Sequence, residues 1–373
     1  MIYCHKVTHY TWKTTAKSVK NLVINMVDSN FASDFKQNNV MKKTKRNIAI
    51  VCGGDSSEHE VSLRSAQGLY GWFDRNRYNV HIAVIRGHDW HVNLHDGSLA
   101  PIDKNDFSFK LNGKKTTFDY AYITIHGTPG ENGILQGYFD LIKLPYSTSN
   151  VLVESLTFNK YMLNNYMRSF GVTVADSILL LKDVDRSITE DDIVRQLGIP
   201  CFVKPTDDGS SFGVTKVKDK KQLAPAITNA FKQFGQVMVE RFLDGVEVTV
   251  GCYKTKKKSV VFPVTEVVTH NEFFDYDAKY NGQVEEITPA RISDELTRAL
   301  QAETSRIYDI LHCNGIIRVD FIVTKNEDGS DCINMLEVNT TPGMTATSFI
   351  PQQVAAAGLE MRDVLTEIVE NQF

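Results

Sequence analysis

Two apolar, strand-like segments facing each other across Asp328-Gly329 constrain this chain more than any other feature. Residues alternate sides along a strand. In Ile316-Ile-Arg-Val-Asp-Phe-Ile-Val323, Arg318 and Asp320 therefore share one face, and in Ile333-Asn-Met-Leu-Glu-Val-Asn339, Glu337 and Asn339 share one face. Asp-Gly is a favoured hairpin centre. Pairing outward from it sets Asp320 opposite Glu337 and Arg318 opposite Asn339. Two facing carboxylates repel unless a cation sits between them. All-oxygen donors suit Mg²⁺, which takes few protein ligands and completes its shell with phosphate and water. The competing reading is an Arg–Asp–Glu network at the surface. A metal is preferred because charges among apolar neighbours need partners. Thr340-Thr-Pro-Gly-Met344 follows at once, and its Pro-Gly turn lets a backbone N–H approach a ligand.

Upstream of the hairpin the pattern is alternating strand and helix, an α/β arrangement. Ile48–Cys52 reads as a buried strand closing on Gly53-Gly54, followed by a helix from Glu60 to about Phe73 that Ser57-x-x-Glu60 opens as a capping box. Strands follow at 78–85 and 120–125, then a short helix marked by Leu135, Tyr138, Leu141 and Ile142. One helix is expected from Ser155 to Phe170, with Lys160 in its middle. Later strands are expected at 200–204, 214–217, 237–239, 246–253 and 259–267, and helices at about 293–311 and 360–371. Residues 1–46 show no sustained period and read as an extension, with Met41 a cleaner start. Domains are expected at 47–148, 149–243 and 244–373.

The chain has 373 residues and a formal charge of −4, which gives no global attraction to nucleic acid or anionic membrane. No apolar run approaches the roughly 18–20 residues that span a bilayer. The six cysteines are scattered, which argues against a disulfide framework or zinc site. These features predict a cytoplasmic globular protein.

Other segments could carry chemistry. Phe202–Gly213 ends a strand on Lys204 and continues into Gly-Ser-Ser-Phe-Gly, a loop able to wrap phosphates with N–H and hydroxyl groups. No G-x-x-x-x-G-K-[ST] motif occurs, so it is not a P-loop. Glu58 stands at a strand–helix junction, where it can complement the helix dipole or hold a substrate ammonium. His126 lies on a similar strand-end loop. Taken singly, His126 reads as an ordinary loop histidine and Lys160 as a solvated lysine.

In order, GGDSSEHEVS, HGTPGENGILQGYFD, VKPTDDGSSFG, FFDYDAKY, RVDF and LEVNTTPGMT resemble the D-alanine–D-alanine ligase family of the ATP-grasp superfamily, from about Asn47 to the C-terminus. The resemblance implies a three-domain ATP-grasp fold, α/β with an N-terminal open parallel-sheet domain and α+β toward the C-terminus. It implies a cytoplasmic homodimer that joins two D-alanines through a D-alanyl phosphate for peptidoglycan synthesis, with ATP as co-substrate and two Mg²⁺ or Mn²⁺ ions. Lys160 and Lys204 match lysines on the ATP phosphates, and Ser210 and Ser211 the loop covering them. Glu240, Leu243 and Glu247 match positions around adenine and ribose, and Asp320, Glu337 and Asn339 match the metal ligands. Glu58 matches the residue holding the first substrate's ammonium, with His126 nearby. Arg318 matches the contact to the transferred phosphate and reacting carboxyl, and the Gly343 backbone the oxyanion donor. Lys279 and Ser348 match residues near the second D-alanine's carboxylate. Tyr280 matches the tyrosine that closes over the site with Glu58 and Ser210. Phe274 departs from the family's frequent tyrosine and lacks its hydroxyl. Rival readings are a ligase for D-lactate or D-serine, a non-catalytic ATP-binding protein, and a dinucleotide oxidoreductase, which would need a G-x-G-x-x-G that the chain lacks.

Overall fold

A computed structural model describes residues 44–184, 188–207, 213–269 and 284–373. Ile48, Ala49, Ile50, Val51 and Cys52 are wholly buried, as a near-continuous apolar run requires at the centre of a sheet covered on both faces. They form β1 (Arg46–Gly53), flanked in parallel by β2 (Tyr78–Arg86) and β7 (Tyr120–Ile123). An antiparallel edge of β3 (Asp89–Asn93) and β4 (Leu99–Pro101) completes this sheet, and β5 (Phe109–Leu111) pairs with β6 (Lys114–Thr116) as a separate ribbon. The sheet is thus parallel at its centre and antiparallel at one edge.

Helix α1 (His59–Trp72) follows β1 through a turn that only glycine suits. Gly53 has φ +101°, and a Cβ there would lie 2.4 Å from the Ile85 carbonyl oxygen. The expected capping box does not form. Glu58 is the N-cap residue, with no side-chain cap. Ser56 Oγ instead accepts from the Glu58 N–H at 3.2 Å and donates to the His126 carbonyl at 2.7 Å, binding this turn to the loop after β7.

Helix α2 (Ile134–Ile142) leads to α3 (Val151–Phe158) and α4 (Lys160–Ser169). The single helix expected over 155–170 is two, broken at Asn159, which is extended and caps α4 by accepting from Met162 N–H. Lys160 therefore opens a helix instead of lying in mid-helix, and its N–H, needed by no helical carbonyl, bonds Thr206 O at 2.7 Å.

The second sheet runs β10 (Thr215–Val217), β9 (Cys201–Pro205), β11 (Gln236–Arg241), β8 (Ser177–Leu181), all antiparallel. Helices α5 (Glu190–Leu197) and α6 (Leu223–Ala230) pack on it through Ile193, Leu197, Leu223 and Ile227. The third sheet contains β12 (Val246–Lys254), β13 (Ser259–Val261), β14 (Thr265–Thr269), β15 (Val284–Ile287), β16 (Ile316–Lys325) and β17 (Asp331–Asn339). The strand expected over 259–267 is split between β13 and β14. Its helices are α7 (Asp294–Leu311), α8 (Phe349–Ala356) and α9 (Met361–Glu370).

The β16–β17 hairpin turns about Asp328 itself, because Lys325 pairs with Asp331 and Phe321 with Met335. That spacing alone would put Asp320 opposite Leu336. A one-residue bulge at Leu336 restores the expected pairs, Asp320 with Glu337 and Arg318 with Asn339. The bulge also switches parity. Met335 and Val338 stay in the core with Val319 and Phe321, while Leu336, Glu337 and Asn339 line the opposite cavity.

Candidate functional site

The second and third sheets, with the turns following β1 and β7, enclose a cavity of about 960 Å³. Its lining contains Glu58, His126, Lys160, Lys204, Glu240, Leu243, Glu247, Arg318, Asp320, Glu337, Asn339, Gly343 and Ser348. Every candidate residue that falls among the described residues is therefore in one place. Ser210, Ser211, Phe274, Lys279 and Tyr280 lie outside the described residues.

At one end Lys204 and Glu240 form a buried ion pair, each under a tenth exposed, and Asn164 Nδ2 donates to Glu240 at 3.3 Å. Burial on this scale demands such partners. Phe202 and Phe242 form an aromatic wall beside them, and the Lys216 ammonium sits 4.1 Å from the Phe242 ring centroid. With Ile322 and Leu336 on the hairpin side, this end offers a flat apolar slot beside cations.

At the other end Arg318 grips Asp320 in a two-pronged pair, Nε to Oδ1 and Nη2 to Oδ2, both 2.8 Å. Thr249 Oγ1 donates to Oδ1, and Asn339 Nδ2 donates to Oδ2 at 3.0 Å. Burial pulls the Arg318 pKa down, but Asp320, Glu337 and Glu131 outweigh it and raise it, so the guanidinium stays charged. Lys160 Nζ lies 3.6 Å from Glu337. The network reading and the cation reading thus coincide in part, since Arg318 is itself a cation between the carboxylates. Among the described residues no group of three or more His, Cys, Asp or Glu side chains is placed to hold a metal. The donor set is nonetheless all oxygen. Glu337 and the Asn339 carbonyl face the cavity, and Asp320 joins them only if Arg318 releases an oxygen. Two carboxylates and an amide fit a hard divalent cation that draws its remaining ligands from phosphate and water.

Around the turns, His126 is 6% exposed and its Nε2 has no hydrogen-bond partner among the described residues. A buried, unsatisfied nitrogen on a cavity wall is aimed at something the cavity holds. Glu131 beside it accepts from Gly127 N–H at 2.7 Å and from Thr341 Oγ1 at 2.6 Å. Burial pushes its carboxyl pKa up, with Glu58 adding to the rise and His126 opposing it. Glu286 is also raised by burial, against the opposing effects of the Gln352 amide and the Arg318 charge. Sequence reasoning passed over Glu131, Glu286 and the Phe202–Phe242 wall. Glu131 lies within HGTPGENG and was within reach of a motif argument, whereas the other residues meet only through the fold.

The D-ala D-ala ligase N-terminus family matches residues 47–149 and the D-ala D-ala ligase C-terminus family residues 166–370. A D-alanine–D-alanine ligase of Bacteroides fragilis is 61% identical over 329 residues, 88% of this chain and 100% of that protein. The chain belongs to the D-alanine–D-alanine ligase family. A family relative from Porphyromonas gingivalis is 53% identical over 325 residues, covering 87% of this chain and 97% of that protein. Solved structures agree. The VanG D-Ala:D-Ser ligase of Enterococcus faecalis superposes with TM-score 0.78 at 29% identity, over 88% of this chain and 100% of that one. D-alanyl-alanine synthetase A of Vibrio cholerae gives 0.77 at 28% identity, over 88% and 98%. The fold is accordingly the ATP-grasp fold of these ATP-dependent ligases.

The five described cysteines are free. Burial pushes the Cys52 and Cys252 thiols up to about 12 and Cys201 to about 11, so they are inert apolar fillers. No helix among the described residues is long and apolar enough to cross a membrane.

Proposed function

We propose that this ligase joins two D-alanine molecules into D-alanyl-D-alanine, spending ATP through a D-alanyl phosphate, as a cytoplasmic homodimer. The observation that carries the reading is the convergence of the family's motif residues on one cavity with a basic, aromatic end and an Arg–carboxylate end. A carboxylate is a poor electrophile, and phosphorylation supplies its leaving group. Lys160 and Lys204 neutralise the nucleotide phosphates, with Glu240, Leu243 and Glu247 around the base and ribose. Arg318 turns from Asp320 toward the transferred phosphoryl group, where its planar fork suits two oxygens. Asp320, Glu337 and Asn339 hold divalent metal, which when bound supplies charge neutralisation for the phosphates. Glu58 takes the first D-alanine's ammonium beside His126. Gly343 N–H stabilises the developing oxyanion, and Ser348 faces the second substrate. Ser210, Ser211, Lys279 and Tyr280 are assigned by resemblance alone, to the phosphates and to closure over the second substrate.

The test is phosphate release from ATP with D-alanine, L-alanine or no amino acid, with products separated by chromatography. ADP, phosphate and the D,D-dipeptide are expected. AMP as the main nucleotide product, or equal turnover with L-alanine, refutes the proposal. D-serine and D-lactate as second substrates complete the panel, because one structural relative is a D-Ala:D-Ser ligase.

A further inference from the structure

We infer that Glu154, which none of the chemistry above uses, is a positioning residue for ligation: through Thr340 it fixes the segment between Asn339 and Gly343. The inference rests on the proposed function for those two residues. Glu154 is on α3, wholly buried, and its Oε2 accepts from Thr340 Oγ1 at 2.6 Å. The next residue repeats the arrangement with a different partner, Thr341 Oγ1 donating to Glu131 at 2.6 Å. The far end is held by Met344 N–H to Ser65 Oγ on α1 at 3.2 Å. The strand end is thus tied to three separate parts of the chain, and Asn339 and Gly343 lie on either side of the Thr340 tie.

Glu154 serves this role as a neutral acid. Its Oε1 is buried with no hydrogen-bond partner among the described residues, and an ionised carboxylate with a bare oxygen is costly at zero exposure. Burial, reinforced by the charge of Glu131, raises its pKa well above the ordinary range, against the Thr340 and Ser149 hydrogen bonds. A neutral hydrogen-bond acceptor is all that Thr340 needs.

The experiment compares E154A, E154Q and T340V with the parent. Losing one buried positioning hydrogen bond is expected to lower kcat roughly ten-fold in E154A and T340V. The Kd for metal-free ADP, which uses the Lys204–Phe242 end, should stay within about two-fold, since a single misplaced strand end leaves that end intact. E154Q keeps the acceptor and should recover most of the rate, and the E154A/T340V double variant should be no worse than either single one. Hydrogen exchange of a peptide covering 339–345 should be faster in E154A and T340V than in the parent, a readout independent of turnover. The parent's own dipeptide synthesis tests the proposed function separately. T340V removes one hydroxyl and keeps the test open if E154A does not fold. Unchanged exchange in T340V, an E154Q as slow as E154A, additive losses in the double variant, or ADP binding weakened in step with kcat each overturn the inference.

Discussion

Asp320→Asn and Glu337→Gln make the same chemical change at two paired positions, yet the structure separates their consequences. Asp320 receives four donors: two from Arg318 and one each from Thr249 and Asn339. An amide has one acceptor oxygen, so whichever way the substituted side chain turns, two donors face an NH₂ group. Hydrogen bonds to a charged group contribute about 1.5–3 kcal/mol each. The guanidinium left half-paired is only 13% exposed. Removing one partner of a buried pair costs about 3–5 kcal/mol, which corresponds to a fall of about 5–10 °C in Tm for a protein of this size. Glu337 contacts Lys160 at 3.6 Å, and those side chains are 20% and 25% exposed, so its neutralisation should cost below about 1 kcal/mol. Ligation should be lost in both. The assay is calorimetric unfolding alongside dipeptide synthesis at saturating Mg²⁺. Equal melting shifts in the two variants would refute the assignment of Asp320 to a buried Arg318 pair. Parent-like activity in either would remove it from the metal site.

The carboxyls of Glu131 and Glu154 are both raised by burial, so the folded chain binds their protons more tightly than the unfolded one. The stabilisation they contribute is complete below the ordinary glutamate range and fades as pH rises through their folded pKa values. Denaturant midpoints of E154Q should therefore fall less steeply than the parent's over that rise, and a steeper fall would contradict a neutral Glu154. A chain begun at Met41 should keep full activity and melting temperature, because every motif lies beyond it and relatives align over their whole length with 329 residues of this chain; a large loss in either measurement would show that residues 1–40 contribute.

What the sequence made legible was whatever depends on neighbours along the chain. The Asp320–Glu337 pairing followed from alternation and a turn residue, although it arrived through a bulge that alternation does not predict. Lys160 was misread because α3 and α4 are contiguous in hydrophobic pattern, and only the Asn159 cap and the Thr206 carbonyl divide them. The capping box failed for a similar reason, with Ser56 committed to a carbonyl 70 residues away. Glu154 looked like an ordinary helical glutamate. Its burial, and its hydrogen bond from a threonine 186 positions later, exist only once the sheets are assembled.

The bulge at Leu336 has a consequence for how the hairpin tolerates length changes. Below it, Glu327–Ser330 is fully solvent-facing, and eight consecutive pairs between β12 and β16 hold β16 in place independently of that turn. Extra residues inserted there would lengthen a loop without moving Asp320, making it a natural position for a tag or a fluorophore. Above it the tolerance inverts. Deleting Leu336 would turn the next residues by half a pleat, sending Glu337 and Asn339 into the apolar interior and Val338 into the cavity. One lost residue there would exchange the hairpin's wet and dry sides, though the deletion removes only a leucine.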